Sequence, residues 1–255
     1  MLPTERRNKI KEALTLQGNV TVKRLAQEFQ VTMETIRNDL DHLCKQDFEI
    51  IKVHGGAYLS QNSVQGIPMM LRENIMLEEK IRMAEAAVNL FTDGDSIILD
   101  TSSTAMYVAK KIIEKKLRVV ILTNSLPITN LLSSHPQVKI ITLGGNYNHT
   151  LKSFIGPMPI QALSNYHADF SIISPTKLSM EQGLSDDNQD IAQIRMFMLT
   201  NSKRGILLVD NTKFDCSELF NIADFDQIDQ VITDEALDDR WIDFFKLRDI
   251  TLTIV

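Results

Sequence analysis

Residues 21–43 read TVKRLAQEFQVTMETIRNDLDHL and contain two short helical patterns in succession. In each pattern, apolar residues recur three, four or seven positions apart, which places them on one face of a helix. A threonine stands immediately before each pattern and can cap the start of the helix. We therefore predict two short helices that pack their apolar faces into a shared core. The apolar positions are Val22, Leu25, Ala26 and Phe29 in the first helix and Ile36, Leu40 and Leu43 in the second, with Thr21 and Thr32 as caps.

The segments on either side complete a small domain. Upstream, residues 10–14 carry apolar side chains at helical spacing, and the pattern stops at Gly18. Downstream, FEIIKV at 48–53 is β-prone, and the glycines of HGGA at 54–57 allow a tight turn. Three helices followed by a short β segment indicate a winged helix-turn-helix, which we place at residues 1–58.

The second helix of the central pair presents polar side chains away from its apolar face. Arginine can pair bidentately with guanine and asparagine with adenine, so this helix suits reading of the DNA major groove. From the periodicity alone, a three-helix protein-interaction module with a solvated polar face is the alternative. The predicted DNA contacts, on this helix and the following β segment, are Thr32, Glu34, Thr35, Arg37, Asn38, Lys52 and His54.

Charge is unevenly distributed along the chain. The total is −6, but residues 1–57 hold nine Lys and Arg against eight Asp and Glu, so the acidity belongs to the remainder. A segment with so few cations for DNA phosphates is not expected to hold a specific site alone at physiological salt. We therefore expect at least a homodimer, assembled through the second domain, that binds repeated half-sites.

Length and composition favour two ordinary globular domains. The 255 residues are 44% hydrophobic and 24% charged, which excludes disordered and fibrous classes. Cys44 and Cys216 lie 172 positions apart, and neither has a metal ligand at the two-residue spacing of metal-binding cysteine motifs, so we expect a reducing compartment and no metal site. No apolar run approaches the ~20 residues that cross a bilayer. Because the first ten residues also lack the apolar segment of a secretory signal, we expect a soluble cytoplasmic protein.

Residues 59–76 have no sustained period and carry Gly66-Ile67-Pro68, so we assign them as a linker. From residue 77 to residue 255, short β-branched runs alternate with helical patterns. The nearly continuous apolar character of these runs predicts a Rossmann-like, mostly parallel α/β domain with helices on both faces of the sheet. The predicted strands are residues 96–100, 119–123, 139–143, 170–174, 205–210, 231–233 and 251–255.

Several of these strands end in polar residues, and ligands of such sheets bind at the carboxyl edge. The run DTSST at 100–104 joins a strand to a helix. Hydroxyl groups, backbone N–H groups and the helix dipole there favour an anion without a metal or a cofactor. Taken alone, the run fits a Ser/Thr-rich helix cap better than a binding site.

Two sets of motifs resemble the DeoR family of transcriptional regulators. Residues 20–57, with LAQEFQVTMETIRNDLDHL and the wing end VHGGA, are similar to its N-terminal DNA-binding module. The remainder resembles its C-terminal sensor domain, which is related to sugar-phosphate isomerases. The matching stretches, in the family's order, are EEKIRMAEAA (78–87), DGDSIILDTSST (93–104), LTNS (122–125), LGG (143–145), FIGP (154–157), HADFSII (167–173), QGLS (182–185) and LLVDNTKF (207–214).

The resemblance implies a repressor of a sugar or carbohydrate operon that binds a double-stranded DNA operator as a dimer or tetramer. It implies that a phosphorylated sugar relieves the repression. The chain departs from the family pattern at Asn38, where a second basic residue is usual. The site residues that the resemblance implies are Ser102, Ser103 and Thr104 for the phosphate, and Asp100, Asn124 and Lys213 for the sugar.

A sugar-phosphate isomerase with an accessory N-terminal domain is the alternative function. An isomerase needs a positioned carboxylate base and a second acid near the anion-binding loop. The segment SPTKLSMEQG at 174–183 does not supply paired acids, and we interpret Asp186 and Asp187 as solvated turn residues. We therefore favour a regulator without enzymatic activity. Turnover of aldose or ketose phosphates would distinguish the two functions.

Overall fold

The computed structural model describes residues 2–17, 19–47, 50–53, 55–59 and 72–255. Within it the chain divides into two compact units, Met1–Leu77 and Glu78–Val255. Four predicted features fall outside the described residues: the Gly18 stop, the start of the β segment at 48–49, His54 and residues 60–71 of the linker. Because most of the predicted linker is among them, the predicted domain boundaries stay predictions.

The N-terminal unit contains the three predicted helices and a small antiparallel sheet. Thr21 and Thr32 cap their helices as predicted, because their hydroxyl oxygens accept hydrogen bonds from the backbone N–H groups of Arg24 (3.3 Å) and Thr35 (3.2 Å). The sheet has the strand order β1-β3-β2, so a strand before the second helix joins the wing, which the sequence analysis missed. The elements are α1 (Pro3–Gln17), β1 (Asn19–Thr21), α2 (Val22–Phe29), α3 (Met33–Gln46), β2 (Ile50–Val53) and β3 (Gly56–Leu59).

A buried ion cluster joins α1 to α3. Asp39 is 1% exposed, although it lies among the polar residues of α3. Its two carboxylate oxygens accept hydrogen bonds from the side chains of Arg6 and Arg7, at 2.5 and 2.9 Å from the respective Nε atoms. Because a buried carboxylate without a partner is strongly disfavoured, these bonds fix the position of α3 on α1.

The second unit is built on a seven-stranded parallel sheet, which confirms the predicted α/β fold and all seven predicted strands. The strand order is β15-β14-β12-β9-β4-β5-β6, and every neighbouring pair is parallel. The strands are β4 (Ser96–Leu99), β5 (Val120–Thr123), β6 (Lys139–Thr142), β9 (Ala168–Ile173), β12 (Ser202–Leu208), β14 (Gln230–Thr233) and β15 (Thr251–Ile254).

Six helices of the described residues belong to this part of the chain. They are α4 (Leu77–Val88), α5 (Ser103–Glu114), α6 (Leu126–Leu132), α7 (Pro157–Leu163), α8 (Gln189–Thr200) and α9 (Asp239–Leu247). Trp241 of α9 is buried against Phe214, Phe225 and Phe245, in the apolar core on one side of the sheet. Among the described residues, no helix combines the length and the apolar character needed to cross a membrane.

Two small antiparallel sheets were not predicted. One is the hairpin of β7 (Asn146–Asn148) and β8 (Ser153–Ile155); the other joins β10 (Lys177–Ser179), β11 (Gly183–Asp186) and β13 (Phe220–Ala223). Their strands have only three or four residues and hold no continuous apolar run. Gly183 adopts φ +71°, and a Cβ there would lie 2.4 Å from the carbonyl oxygen of Ala223, so only glycine allows β11 to approach β13 this closely.

Asp169 connects the starts of two sheet strands. Its carboxylate accepts hydrogen bonds from the backbone N–H (2.9 Å) and hydroxyl (2.6 Å) of Ser96 and from Lys203 Nζ (2.8 Å). The ammonium of Lys203 and the two donors of Ser96 hold the pKa of Asp169 well below its usual range. Asp169 therefore ties the start of β9 to the starts of β4 and β12.

Replacing Asp39 with alanine should destabilise the N-terminal unit by about 3 kcal/mol, because the Arg6 guanidinium stays buried without its partner. Urea unfolding of the full chain, followed by far-UV circular dichroism, measures the change. The only tryptophan, Trp241, lies in the other unit, so its fluorescence transition should stay where it is. Asp41→Ala is the control, since Asp41 pairs with Lys52 at the surface and should cost less than ~1 kcal/mol. Equal losses in the two variants would contradict a structural role for Asp39.

Candidate DNA-binding and ligand-binding sites

The start of α3 carries most of the predicted DNA contacts. Glu34, Arg37 and Asn38 are exposed, whereas Ile36 between them is fully buried. The cap residue Thr32 is also exposed, and its hydroxyl lies 2.9 Å from that of the half-buried Thr35. Arg37 Nη1 contacts Glu34 Oε2 at 3.1 Å, in an ion pair open to solvent. The structure therefore brings these five predicted residues together on one side of α3.

Lys52 of the wing lies beside the same helix. Its Nζ is 2.6 Å from Oδ1 of Asp41, so the wing cation is held against α3. Both side chains are partly exposed. Of the predicted wing contacts, only Lys52 can be placed, because His54 lies outside the described residues.

At the carboxyl edge of the parallel sheet, Asp100 follows β4 and is 1% exposed. Its Oδ1 accepts a hydrogen bond from the backbone N–H of Ser102 at 2.8 Å. Its Oδ2 accepts one from the backbone N–H of Ser174 at 2.9 Å and one from Nε of Arg195 at 2.8 Å, and Nη2 of Arg195 lies 2.8 Å from the same oxygen in an ion pair. Asp100 thus joins the loop after β4 to the loop after β9.

Arg195 of α8 is wholly buried and forms a second ion pair, with Asp186 of β11. This corrects the interpretation of Asp186 as a solvated turn residue: it is 2% exposed, and its other oxygen accepts a hydrogen bond from the hydroxyl of Thr176 at 3.2 Å. Asp187, in contrast, is exposed as expected. Burial alone would lower the pKa of Arg195, but the carboxylates of Asp186 and Asp100 outweigh burial and raise it.

The predicted phosphate loop is buried and forms the start of α5. Residues 101–104 are each at most 5% exposed. The hydroxyl oxygen of Ser102 accepts a hydrogen bond from the backbone N–H of Ala105 at 3.0 Å, so this serine is the helix cap. Ser103 and Thr104 form the first turn of a twelve-residue helix. Ser102 therefore caps the helix, as the structural interpretation of the run required, and anion binding at this helix N-terminus stays a prediction.

Asn124 and Lys213 lie on either side of this loop. Asn124 follows β5 and is fully buried, with its Nδ2 donating to the carbonyl oxygen of Phe154 at 2.9 Å. Lys213 lies in a short 3-10 helix after β12, and its Nζ donates to Ser174 Oγ (2.7 Å) and to the carbonyl oxygen of Pro175 (3.0 Å). The ammonium group is therefore held next to the loop after β9.

The sequence analysis missed Arg195, Ser174 and Asp234 at this edge. Asp234 follows β14 directly, and a polar residue at a strand end was the available signal. Burial raises the pKa of Asp234. Burial would also raise the pKa of its neighbour Asp210, but the Lys213 ammonium and the Thr212 hydroxyl outweigh burial and lower it. No local pattern marks Arg195, because its partners are brought to it by the fold.

The chain matches two family models. The DeoR-like helix-turn-helix domain matches residues 6–63, and the DeoR C terminal sensor domain matches residues 75–235. The chain belongs to the DeoR family. It is a DNA-binding transcriptional regulator whose N-terminal unit holds the helix-turn-helix and whose second unit is the sensor domain, which confirms the resemblance noted in the sequence.

Curated relatives of this DeoR-family chain cover nearly its whole length. The uncharacterized HTH-type transcriptional regulator YulB of Bacillus subtilis is 32% identical, over 100% of the chain and 98% of the relative. The putative aga operon transcriptional repressor of Escherichia coli O157:H7 is 31% identical, over 92% and 87%. The L-fucose operon activator of Haemophilus influenzae is also 31% identical, over 92% and 93%.

A similarity to solved structures concerns only part of the chain. Ribose 5-phosphate isomerase A from Methanocaldococcus jannaschii aligns with 55% of each chain, at 20% identity and a TM-score of 0.40. A likeness of this extent carries no conclusion about activity.

Replacing Arg195 with methionine should destabilise the sensor unit by about 3 to 5 kcal/mol, because Asp100 and Asp186 then stay buried without a countercharge. Urea unfolding followed by Trp241 fluorescence reports on this unit. Lys203→Met is the matched control, since it removes a cation from an ion pair whose lysine is 62% exposed and should change stability by less than ~1 kcal/mol. A loss no larger than that of the control would show that the buried cluster does not hold the edge together.

Proposed function

We propose that this DeoR-family regulator binds an operator in double-stranded DNA and represses a sugar or carbohydrate operon until a phosphorylated sugar binds its sensor unit. The observation that carries the proposal is the buried Ser103-Thr104 turn at the start of α5, at the carboxyl edge of a parallel sheet. Lys213 lies at the same edge, bonded to Ser174 of the loop after β9. The names of two relatives, a repressor of an aga operon and an activator of an L-fucose operon, support control of such genes.

On the DNA side, α3 enters the major groove, with Thr32, Glu34, Thr35, Arg37 and Asn38 towards the bases, and Lys52 and His54 contact the backbone from the wing. The cations Arg37 and Lys52 are engaged with Glu34 and Asp41 in the free protein. Exposed ion pairs contribute only ~0 to 1 kcal/mol, so DNA can take their place at little cost. A bidentate contact of arginine with guanine gives about 1 to 3 kcal/mol of discrimination.

On the ligand side, the phosphate binds the N-terminal turn of α5, at Ser102, Ser103 and Thr104, and Lys213 supplies the countercharge. Backbone donors, hydroxyl groups and the helix dipole all favour a dianion, so the site needs no cofactor. Asn124 and Asp100 contact the sugar. Asp100 keeps this role because its Oδ1 accepts a single hydrogen bond from the protein and has a lone pair left for a hydroxyl group.

We further propose that the sensor unit binds its sugar phosphate in the cytoplasm and does not convert it. An isomerase base has to take a proton from a carbon of the substrate. The buried carboxylates of Asp100, directly before the loop, and of Asp186 share the guanidinium of Arg195. Their part in holding the edge of the sheet supports binding without turnover.

The protein should form a homodimer or homotetramer through its sensor unit, because one DNA-binding unit has too few free cations to hold an operator at physiological salt. Light scattering at micromolar concentration measures the mass. A monomer, with and without operator DNA, would contradict this assembly.

Arg37→Ala should weaken specific operator binding by ~1 to 3 kcal/mol, or about 5- to 150-fold, and leave thermal stability unchanged. Fluorescence anisotropy with operator and scrambled DNA measures both affinities. Arg240→Ala is the control, since it also removes an exposed arginine that pairs with a carboxylate, here Asp238, but in the sensor unit. If both variants keep the wild-type operator affinity, α3 is not the recognition helix.

Ser103→Asp should abolish the response to the effector and leave operator binding largely intact, because its carboxylate occupies the phosphate position and repels the ligand. The measurement is release of operator DNA by a set of sugar phosphates, judged by the compound that acts on the wild type at the lowest concentration. Ser134→Asp adds the same charge at an exposed position of the same unit and should respond normally. A normal response of Ser103→Asp would mean that the loop is only a helix cap.

A further inference from the structure

The strand β15 lies at one edge of the seven-stranded sheet, and among the described residues it pairs with β14 alone. The backbone N–H groups of Thr251 and Val255 donate towards β14, at 2.9 and 3.0 Å. Because successive residues of a strand present their backbone groups to alternate sides, those of Leu252 and Ile254 point away from β14. β15 therefore presents a row of backbone donors and acceptors with which a further strand can pair.

The two edges of the sheet differ in how they are protected. Natural sheets discourage edge pairing with lysine, proline, bulges or a covering segment. Residues 250–255, ITLTIV, contain no charged residue and no proline, and β15 runs beside β14 in unbroken register. The side chain of Ile254 is 47% exposed, so this edge is open. The opposite edge strand, β6, begins with the exposed Lys139, which opposes pairing there.

The helix α9 lies on the face of the sheet to which Leu252 and Ile254 point. Trp241 and Phe245 of α9 belong to the apolar core against which Leu252 packs. Ile254 points to the same face, because it lies two residues further along the strand. Since α9 connects the parallel strands β14 and β15, it runs in the direction opposite to both.

The outer side of α9 is complementary in charge to an antiparallel copy of itself. Its exposed residues recur at helical spacing and form one stripe of Asp239, Ile242, Asp243, Lys246 and Leu247. Among the described residues, the ion pairs of this segment are made by Arg240 and Arg248, and none includes the three charges of the stripe. A second α9 lying antiparallel would place its lysine beside the acids of the first, and the reverse.

We propose that β15 and α9 form the interface of a two-fold symmetric dimer, in which the β15 strands of two copies pair antiparallel and join the two sheets into one. The proposal rests on the assembly proposed above. A two-fold axis perpendicular to the sheet keeps both α9 helices on one face and antiparallel, so Asp239 of each copy approaches Lys246 of the other. The occupant is a second copy because the uncharged strand and the mixed stripe each complement themselves under this one operation.

The backbone groups fix the register of the two strands. Opposite residues that exchange hydrogen bonds must both point outward, as Leu252 and Ile254 do. Ile250 has the same orientation, but its N–H already donates to the carbonyl oxygen of Phe245 at 2.9 Å. Leu252 of one copy therefore faces Ile254 of the other, and Thr253 faces the same residue of the second copy across the axis.

Cysteine cross-linking tests this register in the full chain with both native cysteines replaced by serine. Thr253→Cys should form an intermolecular disulfide under mild oxidation, because opposite residues of a non-hydrogen-bonded pair have Cα atoms ~4.5 Å apart. Thr142→Cys, at an exposed position of the other edge strand, is the control and should stay uncross-linked. Equal yields in the two variants, or no cross-link at residue 253 in a chain that assembles, would overturn the proposed pairing.

Ile254→Lys should halve the mass of the assembly and raise its dissociation constant by about 100-fold, because two ammonium groups lose water between the paired strands. The side chain is half exposed in the single chain, so the fold tolerates lysine, and far-UV circular dichroism checks this. Thr142→Lys adds the same charge to the other edge and should keep the wild-type mass. Sedimentation equilibrium measures both, and an unchanged mass of Ile254→Lys would refute the interface.

A charge exchange tests the contact between the helices. Asp239→Lys and Lys246→Asp should each raise the dissociation constant by about 10-fold, because each replaces two attractive contacts of the dimer with repulsive ones. The double variant restores the complementarity and should bind more tightly than either single variant. A double variant as weak as the single ones would show that the α9 helices do not meet.

The mass of the wild type separates this interface from the proposed assembly. A wild type that is monomeric with and without operator DNA would refute the assembly, and the interface with it. A wild type that assembles while Ile254→Lys keeps its mass would refute the interface alone. A mass that grows without limit as concentration rises would mean that β15 pairs with a different edge of the next copy, which also contradicts two-fold pairing.

Discussion

The guanidinium of Arg195, shared between the carboxylates of Asp100 and Asp186, holds the carboxyl edge of the parallel sheet in one arrangement. The helix α8, the small strand β11 and the loop after β4 meet at this group. Three buried charges are stable there only because each one faces a partner and the remaining lone pairs accept backbone and hydroxyl hydrogen bonds. The proposed phosphate loop starts two residues after Asp100, at Ser102, whose backbone N–H donates to Asp100, so its shape depends on this cluster.

The N-terminal unit also contains a buried ion cluster that holds two of its elements together, the one formed by Asp39, Arg6 and Arg7. Its small core consists of apolar side chains, and apolar contacts alone do not set one angle between the helices. Asp39 specifies it, because its buried carboxylate has to meet Arg6 and Arg7 of α1. Two of the nine cations of this segment thereby pair with a buried carboxylate, which leaves fewer for DNA phosphates and supports the proposed oligomer.

The ligand edge gathers groups that are far apart in the chain, because parallel strands all end at the same side of the sheet. Ser103, Asn124, Ser174 and Lys213 follow four different strands, yet they line one row. The row is densely hydrogen-bonded around Asp100 and Lys213, whereas Oδ1 of Asn124 and Oδ2 of Asp234 have no hydrogen-bond partner among the described residues. Polar atoms without a partner matter in a sensor domain, because a ligand shifts the balance between two conformations only through contacts that differ between them.

The sequence by itself determined the three helices with their Thr21 and Thr32 caps and the seven parallel strands, because apolar period and capping are local and need no knowledge of distant residues. It also determined which strand ends carry polar groups. Only the tertiary structure decided that Asp186 is buried, that Arg195 joins it to Asp100, 95 residues away, and that Ser153 pairs with Ser125. These facts depend on short strands whose pairing is stable only once the large sheet has formed. The role of a charged or hydroxyl residue depends on the partner that folding brings next to it, and no local sequence pattern identifies that partner.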